Sequence, residues 1–197
     1  MRRDPLELRR TLIRIAAQQA GHFSAAQALE SGYSYQVQRY HVQRGDWLRV
    51  DRGLYRLADW PASQHEDLVR WTLWSRGRAV VSHETALAVH ELGDMMPARV
   101  HLTVPPSFRM RAPAVVIHKG LLAPSDVERF EGFSVTTPVR SILDAAVAGT
   151  EVDQLARTIY DARERGLLTP RSLRLRADRF GSAAALAIER ALRQEGL

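Results

Sequence analysis

Glutamine and arginine side chains between residues 34 and 57 carry the most distinctive chemistry of this 197-residue sequence. In "SYQVQRYHVQRGDWLRVDRGLYRL" planar amide and guanidinium groups recur at short intervals, beginning with Gln36, Gln38, Arg39 and Gln43. A glutamine amide can hydrogen-bond to adenine and an arginine guanidinium to guanine, and both can contact phosphates. The stretch has no metal-ligand spacing and no evident nucleophile. These residues therefore predict contacts with nucleic acid.

Helix signals in the first 45 residues provide the elements that would position these side chains. A helix is predicted over residues 4–20, because apolar residues recur there at helical spacing. Ser24 is expected to cap a second, short helix. Ser34 is expected to cap a third, which runs through Arg44 and stops at Gly45. Two short helices after a longer one predict a helix-turn-helix.

Alternating residues in "WLRVDRGLYRL" predict a β-hairpin directly after the third helix. Leu48 and Val50 would lie on the apolar side of the first arm, and the second arm shows the same period of two. The link Asp51-Arg52-Gly53 is short enough for a hairpin loop, in which glycine can adopt positive φ. Three helices followed by a hairpin predict a winged helix-turn-helix over residues 1–60.

The third helix of a winged helix is the element that enters the major groove of double-stranded DNA. Its inward stripe is predicted at Val37 and His41, with Tyr40 beside them. The predicted DNA contacts are Ser34, Tyr35, Gln36, Gln38, Arg39 and Gln43 on this helix and Arg49, Arg52 and Arg56 on the wing. An ordinary small helical domain with a solvated polar face is the alternative interpretation.

The charge distribution favours a polyanionic partner of the N-terminal segment. The chain has 28 basic and 22 acidic residues and a net charge of +6, and all its basic residues except Lys119 are arginine. Residues 1–60 contain ten arginines and six acidic residues, so most of the positive excess lies there.

A second domain is predicted over residues 61–197, after the boundary-like stretch "ADWPASQ". Helical and strand patterns follow one another there, and Ser82 is expected to cap the helix that begins "HETALAV". The predicted fold class is therefore α+β, an N-terminal winged helix-turn-helix followed by a mixed α/β domain.

Patterns typical of catalysis or of metal binding are missing from the sequence. It has no cysteine, no phosphate-binding glycine loop and no nucleophile elbow. His83 and His90 are seven residues apart, whereas the zinc-protease motif needs two histidines four apart. His101 and His118 would form a polar cluster or simply face water on neighbouring strands. We therefore expect a protein without enzymatic activity, cofactor or metal.

No apolar run reaches the length of a membrane span, and none follows Arg2 and Arg3 as in a signal peptide. A cytoplasmic location is expected.

Four segments together resemble the abortive-infection antitoxins of the AbiEi type. They are "GDWLRVDRGLYRL" (45–57), "VVSHETALAVHELG" (80–93), "VHLTVP" (100–105) and "VTTPVRSILDAA" (135–146). The resemblance implies a winged helix followed by an α/β antitoxin domain. It also implies binding to inverted repeats in the protein's own promoter, and neutralisation of a neighbouring nucleotidyltransferase-like toxin in the type IV manner, without a stable complex. The expected state is a monomer in solution that pairs on DNA.

The second domain is the expected site of toxin neutralisation, because a winged helix alone can dock on DNA. Its predicted antitoxin surface consists of His101, Thr103 and His118 on the strands and Arg140 on the helix that starts near Pro138. Two alternatives remain open. One is a winged-helix transcriptional regulator without a toxin, whose second domain senses a ligand or partner, and the other is an unusual nuclease.

Overall fold

The computed structural model of the chain describes residues 4–196, which form two compact units. The first unit extends to Ala79 and also includes Arg129–Phe133. The second unit contains Val80–Glu128 and resumes at Ser134. Arg2 and Arg3, two of the arginines counted in the N-terminal charge, lie outside the described residues, as does Leu197.

The first unit contains four helices and a three-stranded sheet among the described residues. These are α1 (Pro5–Ala17), α2 (Ala25–Glu30), α3 (Tyr35–Arg44) and α4 (Glu66–Trp74), with β1 (His22–Ser24), β2 (Trp47–Asp51) and β3 (Leu54–Leu57). The first three helices begin where the capping residues predict, because Asp4, Ser24 and Ser34 each accept a backbone hydrogen bond from the first turn.

The sheet of the first unit has the order β1-β3-β2 and is antiparallel throughout. β1 was not predicted, since three residues are too few to show a period of two. Phe23 on this strand is fully buried and packs edge-on against Trp47 of β2, with ring centroids 4.8 Å apart. Leu12 and Ala16 of α1 complete the same core, so the helices and the hairpin form one winged helix-turn-helix.

α4 explains why the first unit continues beyond the predicted boundary between residues 60 and 61. This helix packs against β1 and β3. Glu66 at its start pairs with Arg56 of β3 at 3.2 Å, and Arg70 lies 3.8 Å from Asp51 of β2. The predicted boundary therefore falls inside the first compact unit.

The second sheet has the strand order β6-β5-β4-β8-β7 and contains parallel and antiparallel pairs. Its strands are β4 (Val80–Val81), β5 (Val100–Val104), β6 (Val115–Lys119), β7 (Val127–Phe130) and β8 (Phe133–Thr136). The remaining helices are α5 (His83–Val89), α6 (Pro138–Ala148), α7 (Val152–Glu164), α8 (Pro170–Phe180) and α9 (Ser182–Gln194), with a short 3-10 helix at Pro124–Asp126. The winged helix followed by this mixed sheet and its helices confirms the predicted α+β fold class.

The helices of the second unit share an apolar core. Leu87 of α5, Ile142 of α6, Ile159 of α7 and Ile188 of α9 are all fully buried in it. No helix in residues 4–196 combines the length and the apolar character needed to cross a lipid bilayer.

Candidate nucleic-acid interface

Local contacts define both ends of α3, and its last turn is joined to the wing. Ser34 accepts a hydrogen bond from the amide of Val37 at 3.4 Å, and Gly45 ends the helix with a left-handed φ of 83°. In the last turn His41 hydrogen-bonds to Asp46 at 2.8 Å, and this bond holds the pKa of Asp46 below its usual range. The ring of His41 also stacks on Trp47, the first residue of the wing, at 4.8 Å. The helix and the wing are thereby held together as one surface.

The exposed side of α3 is broader than the sequence predicted. Tyr35 is 67% exposed, Tyr40 is 53% exposed and Val37 is 40% exposed. The prediction that Val37 and Tyr40 face inward is therefore wrong, whereas His41 does face the core. The exposed side of the helix, which we call the α3 face, consists of Tyr35, Gln36, Val37, Arg39, Tyr40 and Gln43.

Gln38 does not belong to the α3 face, which corrects a predicted DNA contact. Its side chain is only 1% exposed, and its amide donates hydrogen bonds to the carbonyl of Tyr33 at 2.8 Å and to that of Ala25 at 3.1 Å. Both carbonyls belong to the α2–α3 region, so Gln38 joins the two helices of the helix-turn-helix. Sequence reasoning missed this because it assigned every glutamine of the helix to the exposed side.

Replacing Gln38 with alanine is expected to lower the free energy of unfolding by about 1–3 kcal/mol, because the buried carbonyl of Tyr33 and the partly buried carbonyl of Ala25 both lose a donor. Urea denaturation followed by tryptophan fluorescence measures this, since all four tryptophans lie before Ala79, in the first unit. Gln43→Ala is the matched control, an exposed glutamine of the same helix, with an expected change within about 0.5 kcal/mol. Equal stability of the two variants would contradict the structural role of Gln38.

The wing presents two arginines at and near its tip. Asp51 pairs with Leu54, so Arg52 and Gly53 form a two-residue turn, and the φ of 71° at Gly53 suits this tight geometry. Arg49 and Arg52 are exposed, as is Arg39 on the α3 face. Within the described part of the chain, none of the ion pairs involves these three arginines. Their guanidinium groups are available to phosphates or bases.

The first arm of the wing has its sides reversed relative to the prediction. Trp47 is buried and Leu48 is exposed, because the hairpin directs the larger aromatic ring into the core beside Phe23. A register shift between Arg49 and Asp51 interrupts the simple alternation of the strand.

Arg56 is the second predicted DNA contact that the structure corrects. Its side chain is only 12% exposed, and one guanidinium nitrogen donates to the carbonyl of Trp60 at 2.7 Å and to Glu66 at 3.2 Å. The arginine therefore holds the end of the wing strand to α4. It lies on β3, whose central position in the sheet was not visible from the sequence.

Two residues of the predicted antitoxin surface are engaged inside the second unit. Thr103 is buried and donates to the hydroxyl of Ser82 at 2.8 Å. Arg140 pairs with Asp126 and Asp144, each at 2.9 Å. The expectation that these two side chains form a free surface is therefore wrong. In contrast, His101 and His118 are half-buried and lie side by side.

Comparison with known proteins supports the interpretation of the N-terminal region as a winged helix of a transcriptional regulator. Residues 10–58 match the family described as "Transcriptional regulator, AbiEi antitoxin". The crystal structure of the RV2827C protein from Mycobacterium tuberculosis is similar in fold, with a TM-score of 0.55 and 12% identity over 97% of this chain and 79% of that one. No curated protein matches the sequence.

The matched residues contain most of α1, all of α2 and α3, and the whole wing, which are the elements that build the α3 face. Residues 10–58 are thus similar to AbiEi-type antitoxin transcriptional regulators, which confirms, for this part of the chain, the resemblance found in its sequence.

Proposed function

We propose that the protein is a sequence-specific DNA-binding antitoxin that represses its own operon and counteracts a nucleotidyltransferase-like toxin. The observation that carries the proposal is the α3 face, where Gln36, Arg39 and Gln43 are exposed together on the second helix of a helix-turn-helix. These side chains can reach base edges in the major groove. These residues also lie within the segment that matches AbiEi-type transcriptional regulators, which supports a role in DNA binding.

The wing would contribute affinity rather than sequence preference. Arg49 and Arg52 project from a hairpin that continues directly from α3. Arginines in such a position contact the DNA backbone, and these contacts fix the protein's orientation on the duplex. A single winged helix reads one half-site, so two monomers would occupy an inverted repeat in the promoter.

Toxin neutralisation would belong to the second domain and would proceed in the cytoplasm without a stable complex. With Thr103 and Arg140 engaged in internal contacts, we place the neutralising surface on the exposed side of α7. This side presents Arg157 and Tyr160, and polar exposed residues alternate with the buried positions Leu155 and Ile159.

Two readouts on the full-length protein in the same cells test this division. One reports expression from the native promoter, and the other reports growth while the neighbouring toxin gene is expressed. Arg39→Ala is expected to relieve repression and to preserve growth, because it removes a base contact and leaves α7 intact. The double variant Arg157→Ala/Tyr160→Ala is expected to abolish growth and to preserve repression.

The pattern of losses decides between the proposal and its alternatives. If Arg39→Ala loses both functions at normal protein abundance, DNA binding and neutralisation are not separable as proposed. If the wild-type protein represses the promoter but the adjacent gene is not toxic, the protein is a regulator without a toxin.

A further inference from the structure

Three histidines from three different elements meet in the second unit. His83 is the first residue of α5 and follows β4 after one residue, whereas His101 lies on β5 and His118 on the neighbouring strand β6. The parallel register pairs Thr103 with His118, so His101 is two residues from the paired position and points to the same side of the sheet. Ser82 donates its backbone amide to the carbonyl of His101 at 3.1 Å, which brings α5 to this side of the strands.

The imidazole nitrogens of these residues are close enough to share one ion. Nδ1 of His101 lies 3.3 Å from Nε2 of His118. Nitrogen ligands of tetrahedral zinc stand about 3.3–3.4 Å apart when each bond is about 2.0–2.1 Å long. One ligand atom from each of the three residues can be chosen so that all lie within 4.8 Å of one another. The His101–His118 pair therefore has the spacing of two ligands, whereas the ring of His83, which is stacked on His118, would have to turn so that its free nitrogen points to the same ion.

We propose that His83, His101 and His118 form a binding site for a divalent transition-metal ion of the zinc class. The ligands are Nδ1 of His101, Nε2 of His118 and Nε2 of His83, since Nδ1 of His83 is occupied by the hydroxyl of Ser82 at 2.9 Å. Three imidazoles without a carboxylate ligand favour zinc, copper, nickel or cobalt over magnesium or calcium, which prefer oxygen ligands.

The surroundings of His83 resemble the second layer of partners that orients histidine ligands in metal sites. Ser82 accepts a hydrogen bond from Thr103 at 2.8 Å and contacts Nδ1 of His83. Such a partner fixes the ring orientation and directs the other nitrogen towards the ion. The hydroxyl of Thr85 accepts the backbone amide of His101 at 2.9 Å, which holds this second ligand in place.

The start of α5 lacks an ordinary side-chain cap and has an unusual backbone conformation. Ser82 occupies the N-cap position of α5 but makes no capping hydrogen bond with its side chain, because its hydroxyl is directed to the cluster. His83 has a φ of 55°, in the left-handed region that residues other than glycine rarely adopt. Such strain is maintained where the surrounding structure determines the conformation, as at binding sites.

Burial favours the neutral form of the three histidine rings. Desolvation lowers the pKa of His83 to about 3 and that of His118 to about 4, and it also lowers the pKa of His101. Neutral imidazole is the form that binds metal ions, with its one ring proton on the nitrogen that does not contact the ion. The rings of His83 and His118 are stacked, with centroids 3.5 Å apart.

A bound ion would link the start of α5 to the two parallel strands and stabilise the second unit. Three protein ligands leave the fourth tetrahedral position open to water or to another molecule. The site is independent of the α3 face, so the inference does not depend on DNA binding.

Zinc titration of the full-length, untagged protein after dialysis against a chelator tests the proposal. The chain has seven histidines, whose ring Hε1 protons can be followed by NMR. Zinc is expected to bind at one equivalent and to shift the signals of His83, His101 and His118, while the other four histidines remain unchanged. A titration that leaves the three signals in place, or that shifts only other histidines, would overturn the proposal without requiring any variant.

Variants provide the second arm of the experiment. His101→Gln and His118→Gln keep a polar side chain of similar size and are each expected to weaken zinc binding at least roughly tenfold. They should also remove the rise in melting temperature that zinc produces in the wild type. His65→Gln is the matched control, a partly buried histidine of the first unit, and should bind zinc normally. Undiminished binding by the double variant His101→Gln/His118→Gln would refute the site.

Discussion

Replacing Trp47 with alanine is expected to lower the free energy of unfolding by about 3–5 kcal/mol and to weaken DNA binding as a consequence. Trp47 is buried at the start of the wing, where its ring contacts Phe23, Tyr33 and Tyr55. It also stacks on His41 of α3. The substitution therefore leaves a cavity at the point where the wing and α3 are joined. Urea denaturation followed by far-ultraviolet circular dichroism measures the loss.

Leu48→Ala is the control for this variant, because Leu48 is the next residue of the same strand and is exposed. Its expected change is within about 0.5 kcal/mol. Trp47→Phe should recover part of the stability, since a smaller aromatic ring still fills much of the space. An alanine variant as stable as Leu48→Ala would show that Trp47 does not hold the wing to α3.

Replacing Arg39 with alanine is expected to weaken binding to the native upstream DNA by about 1–3 kcal/mol and to relax the preference at one base position. Arg39 is exposed near the middle of the α3 face, so its removal affects the proposed DNA contact and leaves the core intact. Fluorescence anisotropy with the native site and with single-base variants of it measures both effects.

Two further arginine variants serve as controls that separate base reading by Arg39 from contacts with the DNA backbone. Arg52→Ala, at the tip of the wing, should weaken binding to all sequences similarly and reduce the salt dependence by about one counterion. Arg190→Ala, an exposed arginine of α9, should have no effect. If the Arg39 and Arg52 variants show the same loss for every sequence, the assignment of base reading to α3 is incorrect.

The winged helix was predictable because its boundaries are encoded locally. Ser24 and Ser34 cap their helices, and Gly45 and Gly53 adopt the positive φ that a helix end and a tight turn require. These signals act within a few residues of the chain. They therefore fix the elements even without knowledge of the tertiary structure.

The direction of individual side chains was less predictable, because it depends on contacts distant in sequence. Gln38 is buried by its bonds to Ala25 and Tyr33, although a glutamine on a polar helix is normally assigned to the surface. Arg56 is engaged by Glu66, a residue of the following helix. Neither partner can be identified from helical or strand periodicity.

The histidine cluster was also not predictable from the sequence, because it depends on contacts between residues distant in the chain. Sequence spacing compares residues on one helix, and it tested His83 against His90. The structure instead brings His83 to His101 and His118 through the pairing of β4 with β5 and of β5 with β6. The three histidines come together because of the order of the strands in the sheet, and this order cannot be predicted from a local sequence pattern.

Binding of the full-length protein to its own upstream DNA and to a shuffled sequence of the same composition, measured across a range of salt concentrations, is the most direct test of the central claim. The α3 face and the wing arginines predict that the native sequence binds about 1,000-fold or more tightly than the shuffled one. They also predict that both affinities fall steeply as salt rises, since phosphate contacts release counterions. Equal affinity for the two sequences at every salt concentration would contradict a sequence-specific repressor.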